Sequence, residues 1–408
     1  MLHDPRMLRA CALVVGVSAV ALVLLLPIGS RLGLVDRPDH IRKRHAFDTP
    51  LVGGLAVTAG ILAGWWYLGR FHAFEDAVIG TSLGLVLVGV IDDLCDLKVR
   101  VRLVAQLFAI AVVILATGVY VHSLGILHGH DIELGWLGIP FTVVAVIGLL
   151  NAFNLIDGID GLAGCMALVA AGAICLLGNP GTGNPAITLV VMAAAAVLPF
   201  LAFNLGLFGR QGKVFLGDSG SIVLGYLFAW TLIGMSQSEP RQISPGLVLW
   251  CVALPVFDTL TVMFRRLCRG KSPFTAGRGH IHHLLLDAGL SPRTALLCLV
   301  AFAAVLPFLG LEVHRRAGPA ANLAAFVLLL VLYAAGTTYL WQRREQKLRA
   351  APRHAAAADG NFHPGLPAAH WHRPAVEGLQ RDFSMQGPID GALERPEPET
   401  RRSLSESS

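Results

Sequence analysis

Residues 136–162 read WLGIPFTVVAVIGLLNAFNLIDGIDGL. From Trp136 to Ile156 there is no Asp, Glu, Lys or Arg. About 20 such residues cross the hydrocarbon core of a bilayer as a helix, the form that satisfies every backbone group within one segment there. The run then closes on Asn151, Asn154, Asp157 and Asp160. Asn and Asp are costly inside apolar stretches, so their placement is informative. The doubled Asp-Gly predicts a tight turn with positive φ at Gly158 and Gly161, a geometry that lets backbone approach a ligand. A plain polar turn between two helices would need only one such pair.

Outward from this stretch the pattern recurs. Eleven candidate helices lie near 10–28, 51–68, 77–91, 101–121, 136–153, 162–178, 187–205, 220–235, 244–264, 294–311 and 320–340, the third of them short. The chain of 408 residues is 54% hydrophobic and 14% charged. Its mean hydropathy is +0.63. A soluble domain carries about 25% charge, so an ordinary soluble globule is excluded. The expected fold is an all-α polytopic integral membrane protein of the inner membrane, with about eleven transmembrane helices. The first run follows Arg6 and Arg9 as a signal peptide would. It is long and ends at Pro27–Ser30 without a small-residue cleavage pattern, so it reads as an uncleaved span. The seven cysteines form no CxxC pair, and neither a disulfide framework nor a zinc ribbon is indicated.

Orientation follows from Lys and Arg in the connections. One alternating set of loops holds 21 of them, including Arg42, Lys43, Arg44, Arg102 and Arg266; the other holds six. The richer set is expected to be cytoplasmic, with the N-terminus periplasmic and the C-terminus inside. A transmembrane domain over 1–345 would precede a tail, 346–408. From 351 on, the tail's Ala run, prolines and Ser/Glu-rich end cannot bury a core and read as disordered.

The acidic residues track this topology. Asp92, Asp93 and Asp96 follow the third run, Asp157 and Asp160 the fifth, and Asp218 precedes the eighth. All six fall on the expected cytoplasmic face, as do His280, His282 and His283 in the longest cytoplasmic connection. If the helix continues through DDLCD, Asp92 and Asp96 stack at i,i+4, at a C-terminus whose dipole disfavours carboxylates. They are either solvated acids paired with Lys98, Arg100 and Arg102 or a metal-binding or catalytic group. In FLGDSGS, residues 215–221, Asp218 or Ser219 suits an N-cap, and the same helix start suits a phosphate. The histidines of HIHH, 280–283, could bind zinc, but no Cys or Glu completes a site at conventional spacing. Beside Arg265, Arg266 and Lys271 they read as phosphate donors or as a solvated loop. Together, clustered carboxylates imply Mg²⁺, which takes one or two of them and fills its shell with water and substrate phosphates. The combination suggests metal-assisted phosphoryl chemistry on a membrane-embedded substrate.

At these segments the sequence resembles the polyprenyl-phosphate N-acetylhexosamine-1-phosphate transferase family. The resemblance rests on DDLCD at 92–96, NAFNLIDGIDGL at 151–162, KVFLGDSGS at 213–221 and RRLCRGKSPFTAGRGHIHH at 265–283. VDRPDHIRKRH at 35–45 with PLVGG at 50–54 adds to it, so that it spans roughly 1–345. HIHH and RKRH resemble the branch that uses UDP-N-acetylglucosamine and undecaprenyl phosphate rather than the muramoyl-pentapeptide branch. Leu216 stands where the family usually has methionine.

The resemblance implies transfer of GlcNAc-1-phosphate from UDP-GlcNAc to undecaprenyl phosphate, releasing UMP, as the first membrane step of O-antigen or surface polysaccharide synthesis. It implies Mg²⁺, with Mn²⁺ as a substitute. Asp218 would be a direct metal ligand, helped by Asp92 or Asp93. The Asp92, Asp93 and Asp96 group would be catalytic. Asn154, Asp157 and Asp160 would line the nucleotide side, with Asp160 at the uracil and Asn204 or Phe215 flanking it. Arg266, His280, His282 and His283 would hold the sugar-phosphate, and Lys43 the lipid phosphate. The expected partners are the two substrates, the bilayer and a second copy as a homodimer, and no nucleic acid. A sister enzyme for another UDP-N-acetylhexosamine fits the same motifs. A transporter fits worse, because it would place ionisable groups near the bilayer midplane and often show internal repeats.

Overall fold

Apolar runs without breakers become helices in the computed structural model, which describes residues 4–36, 48–69, 72–127, 129–178, 185–273, 277 and 279–350. All elements below belong to one compact unit, Met1–Arg349; the second, Ala350–Ser408, lies outside the described residues except for its first. The helices are α1 (Pro5–Leu32), α2 (Gly53–Leu68), α3 (Ala73–Cys95), α4 (Val99–Thr117), α5 (Gly138–Ile156) and α6 (Leu162–Leu177). They continue with α7 (Pro185–Asn204), α8 (Gly217–Gln237), α9 (Pro245–Cys251), α10 (Ala253–Leu267), α11 (Ile281–Asp287) and α12 (Pro292–Ala350).

Among the described residues, seven helices are long and apolar enough to cross a membrane, or eight if the bent pair α9–α10 forms one span. Two shorter apolar helices, α2 and α6, accompany them. Burial sorts the bundle. In α8, 94% of the most apolar window is buried, against 17% in α1. The protein is thus built around α8, with α3, α5, α2 and α7 packed on it and α1 at the periphery. Both positions tolerate apolar residues on every face, one because protein surrounds it and the other because lipid can.

Four features differ from the sequence expectation. The third span is 23 residues long, because Glu75 and Asp76 open α3 and Asp92 and Asp93 lie in its last turn. The 244–264 run is broken by an 84° bend at Val252. Pro255 sits in the first turn of α10, where its missing N–H is harmless, but the same ring would clash with a continuing α9. The 294–311 and 320–340 runs are the two halves of α12, separated by non-helical Gly318 before Pro319.

The fourth feature is that the fold is not wholly α. β1 (Val35–Asp36) pairs antiparallel with β2 (Thr49–Pro50), and β3 (Ser123–Leu127) with β4 (His130–Glu133). The second hairpin is held by the side chain of Gln237, at the C-terminal end of α8, which bonds the backbone of His122 and Ser123. Arg241 reaches Asp131 at 2.7 Å across the same hairpin.

Candidate active site

The C-terminal ends of α3 and α5 and the N-terminal end of α8 meet. Glycine permits the approach. A Cβ on Gly89 would lie 2.4 Å from Ser219 Cα, and one on Gly54 would lie 2.3 Å from Gly220 N. The segment before α8 is fixed by backbone bonds from Gly53 N to Phe215 O and from Gly54 N to Leu216 O, both 2.9 Å. Gly217 then turns into α8 with φ +73°.

The carboxylates converge on this junction. Asp93 Oδ1 accepts from Asp218 N at 3.0 Å and Oδ2 lies 3.5 Å from Ser219 N. An acidic side chain from α3 thus serves the unsatisfied amides that open α8. Asp92 is buried; Leu97 N donates to its Oδ1 at 2.7 Å, and Arg102 Nη1 donates to its Oδ2 at 2.9 Å. The same Arg102 nitrogen lies 3.4 Å from Asp218 Oδ2, and Asn154 Nδ2 donates to Asp218 Oδ1 at 2.8 Å. Asp92, Asp218, Asn154 and Arg102 are therefore one connected group drawn from four helices. Asp96 is not in it: α3 ends at Cys95, Asp96 takes φ +50° as the cap, and its side chain is exposed. The i,i+4 stack of Asp92 and Asp96 is not formed.

Asp157 follows the last turn of α5. Desolvation by the surrounding protein, then the charges of Asp218, Asp160 and Asp93, push its carboxyl up to about 7. The residue is exposed, so water offsets part of the desolvation, and the neighbouring carboxylates are what a cation would relieve. Of the two turn glycines, Gly161 has the expected positive φ of +79°, whereas Gly158 does not. Gly158 is required for space instead, because its Cβ would lie 2.0 Å from His282 Nε2.

On the neighbouring side, Lys213 Nζ binds Asp160 Oδ2 at 2.6 Å and sits 5.2 Å from the centre of the Phe215 ring. Asn204 is buried, with Oδ1 accepting from Gly161 N and Nδ2 donating to Val214 O at 2.8 Å. Its side chain ties the Gly161 turn to the segment before α8.

The HIHH segment starts α11. His280 and His282 are buried and nearly parallel, with ring centres 5.9 Å apart, and His283 is 4.2 Å from His282. Arg266 Nη1 donates to Pro273 O at 2.7 Å, which folds this side chain onto its own loop. Lys43 lies outside the described residues.

Sequence reading passed over Asp258, Tyr333 and the structural use of Arg265, which donates to the carbonyls of Thr337 and Gly279. Asp258 carried a signal that was available: a carboxylate within an apolar run marks a functional candidate. Tyr333, an ordinary aromatic in a span, carried none.

Such an arrangement sits on a bundle of apolar helices of membrane-spanning length, the build of a multi-pass membrane protein. The glycosyl transferase family 4 profile matches residues 77–236. The undecaprenyl-phosphate alpha-N-acetylglucosaminyl 1-phosphate transferase of Escherichia coli O157:H7 is 37% identical over 320 residues, 77% of this chain and 86% of that protein. The proteins of the same name from Yersinia pestis and Haemophilus influenzae are each 34% identical, over 77% and 79% of this chain and 87% and 92% of their own lengths. The chain belongs to glycosyl transferase family 4.

Proposed function

We propose that the protein transfers N-acetylglucosamine-1-phosphate from UDP-GlcNAc to undecaprenyl phosphate, giving GlcNAc-pyrophosphoryl-undecaprenol and UMP, at the start of O-antigen or surface polysaccharide assembly. The observation that carries this reading is the Asp92–Arg102–Asp218–Asn154 group beside the Asp157–Asp160 turn. The names of the relatives above supply the acceptor, undecaprenyl phosphate, and the transferred group, N-acetylglucosaminyl 1-phosphate.

The donor set fits Mg²⁺. The Asp218 side chain is 31% exposed, and it shares one cation, Arg102, with Asp92. Among the described residues no three His, Cys, Asp or Glu form a cage for a metal ion. Mg²⁺ needs none, because water and substrate phosphates complete its shell. When bound by Asp218 and Asp92, it would supply charge neutralisation on the pyrophosphate. The protein's own groups do the rest. Lys213 and Phe215 offer a charge and a ring face to the nucleotide beside Asp160, and the histidines offer imidazole groups to the sugar-phosphate. An oxygen of the lipid phosphate attacks the β-phosphorus, and UMP leaves with the electron pair. A phosphate monoester has its second pKa near ~6, so the nucleophile is already largely dianionic at neutral pH. Positioning and electrostatics therefore outweigh deprotonation by Asp93.

The Lys/Arg asymmetry supports placing this end of the bundle at the cytoplasmic face of the inner membrane. Eleven crossings follow if α2, α6, the α9–α10 pair and each half of α12 all span. The test is a radiolabel transfer assay on purified protein with undecaprenyl phosphate and Mg²⁺, comparing UDP-GlcNAc, UDP-GalNAc and UDP-MurNAc-pentapeptide. Lipid-linked product from UDP-GlcNAc, absent in Asp218→Asn, is expected. Product from another donor alone would move the substrate assignment, and product from none would overturn the function.

A further inference from the structure

Asp258 lies in α10, beyond the bend, and is 2% exposed. Its carboxylate joins three elements. Oδ2 is 2.7 Å from His280 Nδ1, while Oδ1 accepts from Ile281 N at 2.9 Å and from Tyr333 Oη at 3.1 Å. A buried carboxylate is tolerated only with such a full set of donors. The arrangement leads on to the active site. His280 stacks parallel to His282, and His282 fills the space over Gly158, next to Asp157. His280 is itself buried, and its Nε2 has no hydrogen-bond partner among the described residues.

We propose that Asp258 is a positioning residue for the transfer reaction: it fixes His280 with a proton on Nδ1 and so reserves the Nε2 lone pair to accept from a sugar hydroxyl of the nucleotide-sugar. The substrate in this statement rests on the function proposed above; the ring geometry does not. A carboxylate facing Nδ1 accepts only, so Nδ1 must donate. The histidine is oriented before substrate arrives, as second partners orient functional histidines elsewhere.

Asp258→Asn tests this. Oδ1 receives two donors, so the amide oxygen of Asn takes that place and its NH₂ faces His280 Nδ1. The ring must then give up the Nδ1 proton. Nitrogen-15 spectra of histidine-labelled protein are expected to show one ring losing its Nδ1 proton, and His280→Asn identifies the signal. Transfer assays are expected to show kcat lowered about 10- to 100-fold, with KM for UDP-GlcNAc changed less than about threefold and the melting temperature nearly kept. In His280→Asn the amide still reaches Asp258 but Nε2 is gone. The same loss of kcat is expected, and combining the two substitutions adds nothing further.

An unchanged Nδ1 proton in Asp258→Asn, wild-type kcat in folded His280→Asn, or additive losses would each overturn the proposal. If Asp258→Asn does not fold, His280→Asn decides through kcat. If the wild type transfers nothing from UDP-GlcNAc, the function fails while the ring proton still decides the role of Asp258.

Discussion

Asp93 Oδ1 accepts the amide hydrogen of Asp218 at 3.0 Å, so two acidic motifs 125 residues apart in the chain meet at one helix end. A carboxylate serving the first amides of a helix is worth about 1–2 kcal/mol. Asp93→Ala removes it and is expected to lower stability by about that amount, with at least tenfold lower turnover. Asp93→Asn keeps one acceptor oxygen and should lose less stability. Its residual activity should be flat with pH in the transfer assay, the outcome expected of a side chain that acts by holding α8. A steep rise with pH would restore the base role.

The packing of α2 against the start of α8 gives a second expectation. A Cβ on Gly54 would meet Gly220 N at 2.3 Å, and neither backbone can yield cheaply. Gly54→Ala is expected to sit at the upper end of the ~1–3 kcal/mol range for overpacking. Gly80, on an exposed turn of α3, meets nothing within 4 Å. Gly80→Ala should gain up to about 1 kcal/mol in helix propensity. Thermal melts of the two variants in the same detergent compare them directly.

Much of this junction was legible before any coordinates. DDLCD, the doubled Asp-Gly and FLGDSGS each place polar groups at the end of an apolar run, and a run's end is where a chain leaves the apolar phase. What the sequence could not show was which contacts the ends would make. Asp96 reads as a member of the acidic set, but the left-handed cap that ends α3 removes it. Asn204 reads as polar and available, yet both ends of its amide are bonded to backbone. Gly158 reads as a turn glycine, and its reason is a histidine 124 positions later that fills the space a side chain would need. The 84° bend was hidden because Pro255 is compatible with a helix start as well as with a break. Periodicity reports local structure; the roles of Asn204 and Gly158 depend on partners distant in sequence.

Asp157 gives a pH dependence. Its carboxyl is raised to about 7 in the folded protein, against roughly 3.9 in an unfolded chain. The folded state therefore binds the proton more tightly. Stability falls as pH rises from the unfolded value through about 7, and the loss is complete above that. Asp157→Asn removes the charge. It should melt higher than the wild type at pH 8, with the gap closing towards pH 4. Millimolar Mg²⁺ should narrow the gap at pH 8 by screening the carboxylates of Asp157, Asp160 and Asp218. A gap independent of pH would show that like-charge crowding is not what the substitution relieves.

Arg102 yields the most direct test of where a cation belongs. Its guanidinium lies 2.9 Å from Asp92 Oδ2 and 3.4 Å from Asp218 Oδ2, and the Asp92 side chain is only 2% exposed. Removing one partner of a buried pair leaves the other charge uncompensated, which costs about 3–5 kcal/mol. The partly exposed Arg102 places Arg102→Ala near the lower figure, about 3 kcal/mol. That cost should depend on what else can neutralise the two carboxylates. In the presence of a chelator the variant is expected to melt well below the wild type. In millimolar Mg²⁺ the difference should shrink, because a divalent ion held by Asp92 and Asp218 replaces the lost charge. Turnover should stay low even then, since the ion restores the charge but not the directed donors of the guanidinium. Equal melting deficits with chelator and with Mg²⁺ would place the ion elsewhere and remove Asp92 from its ligand set.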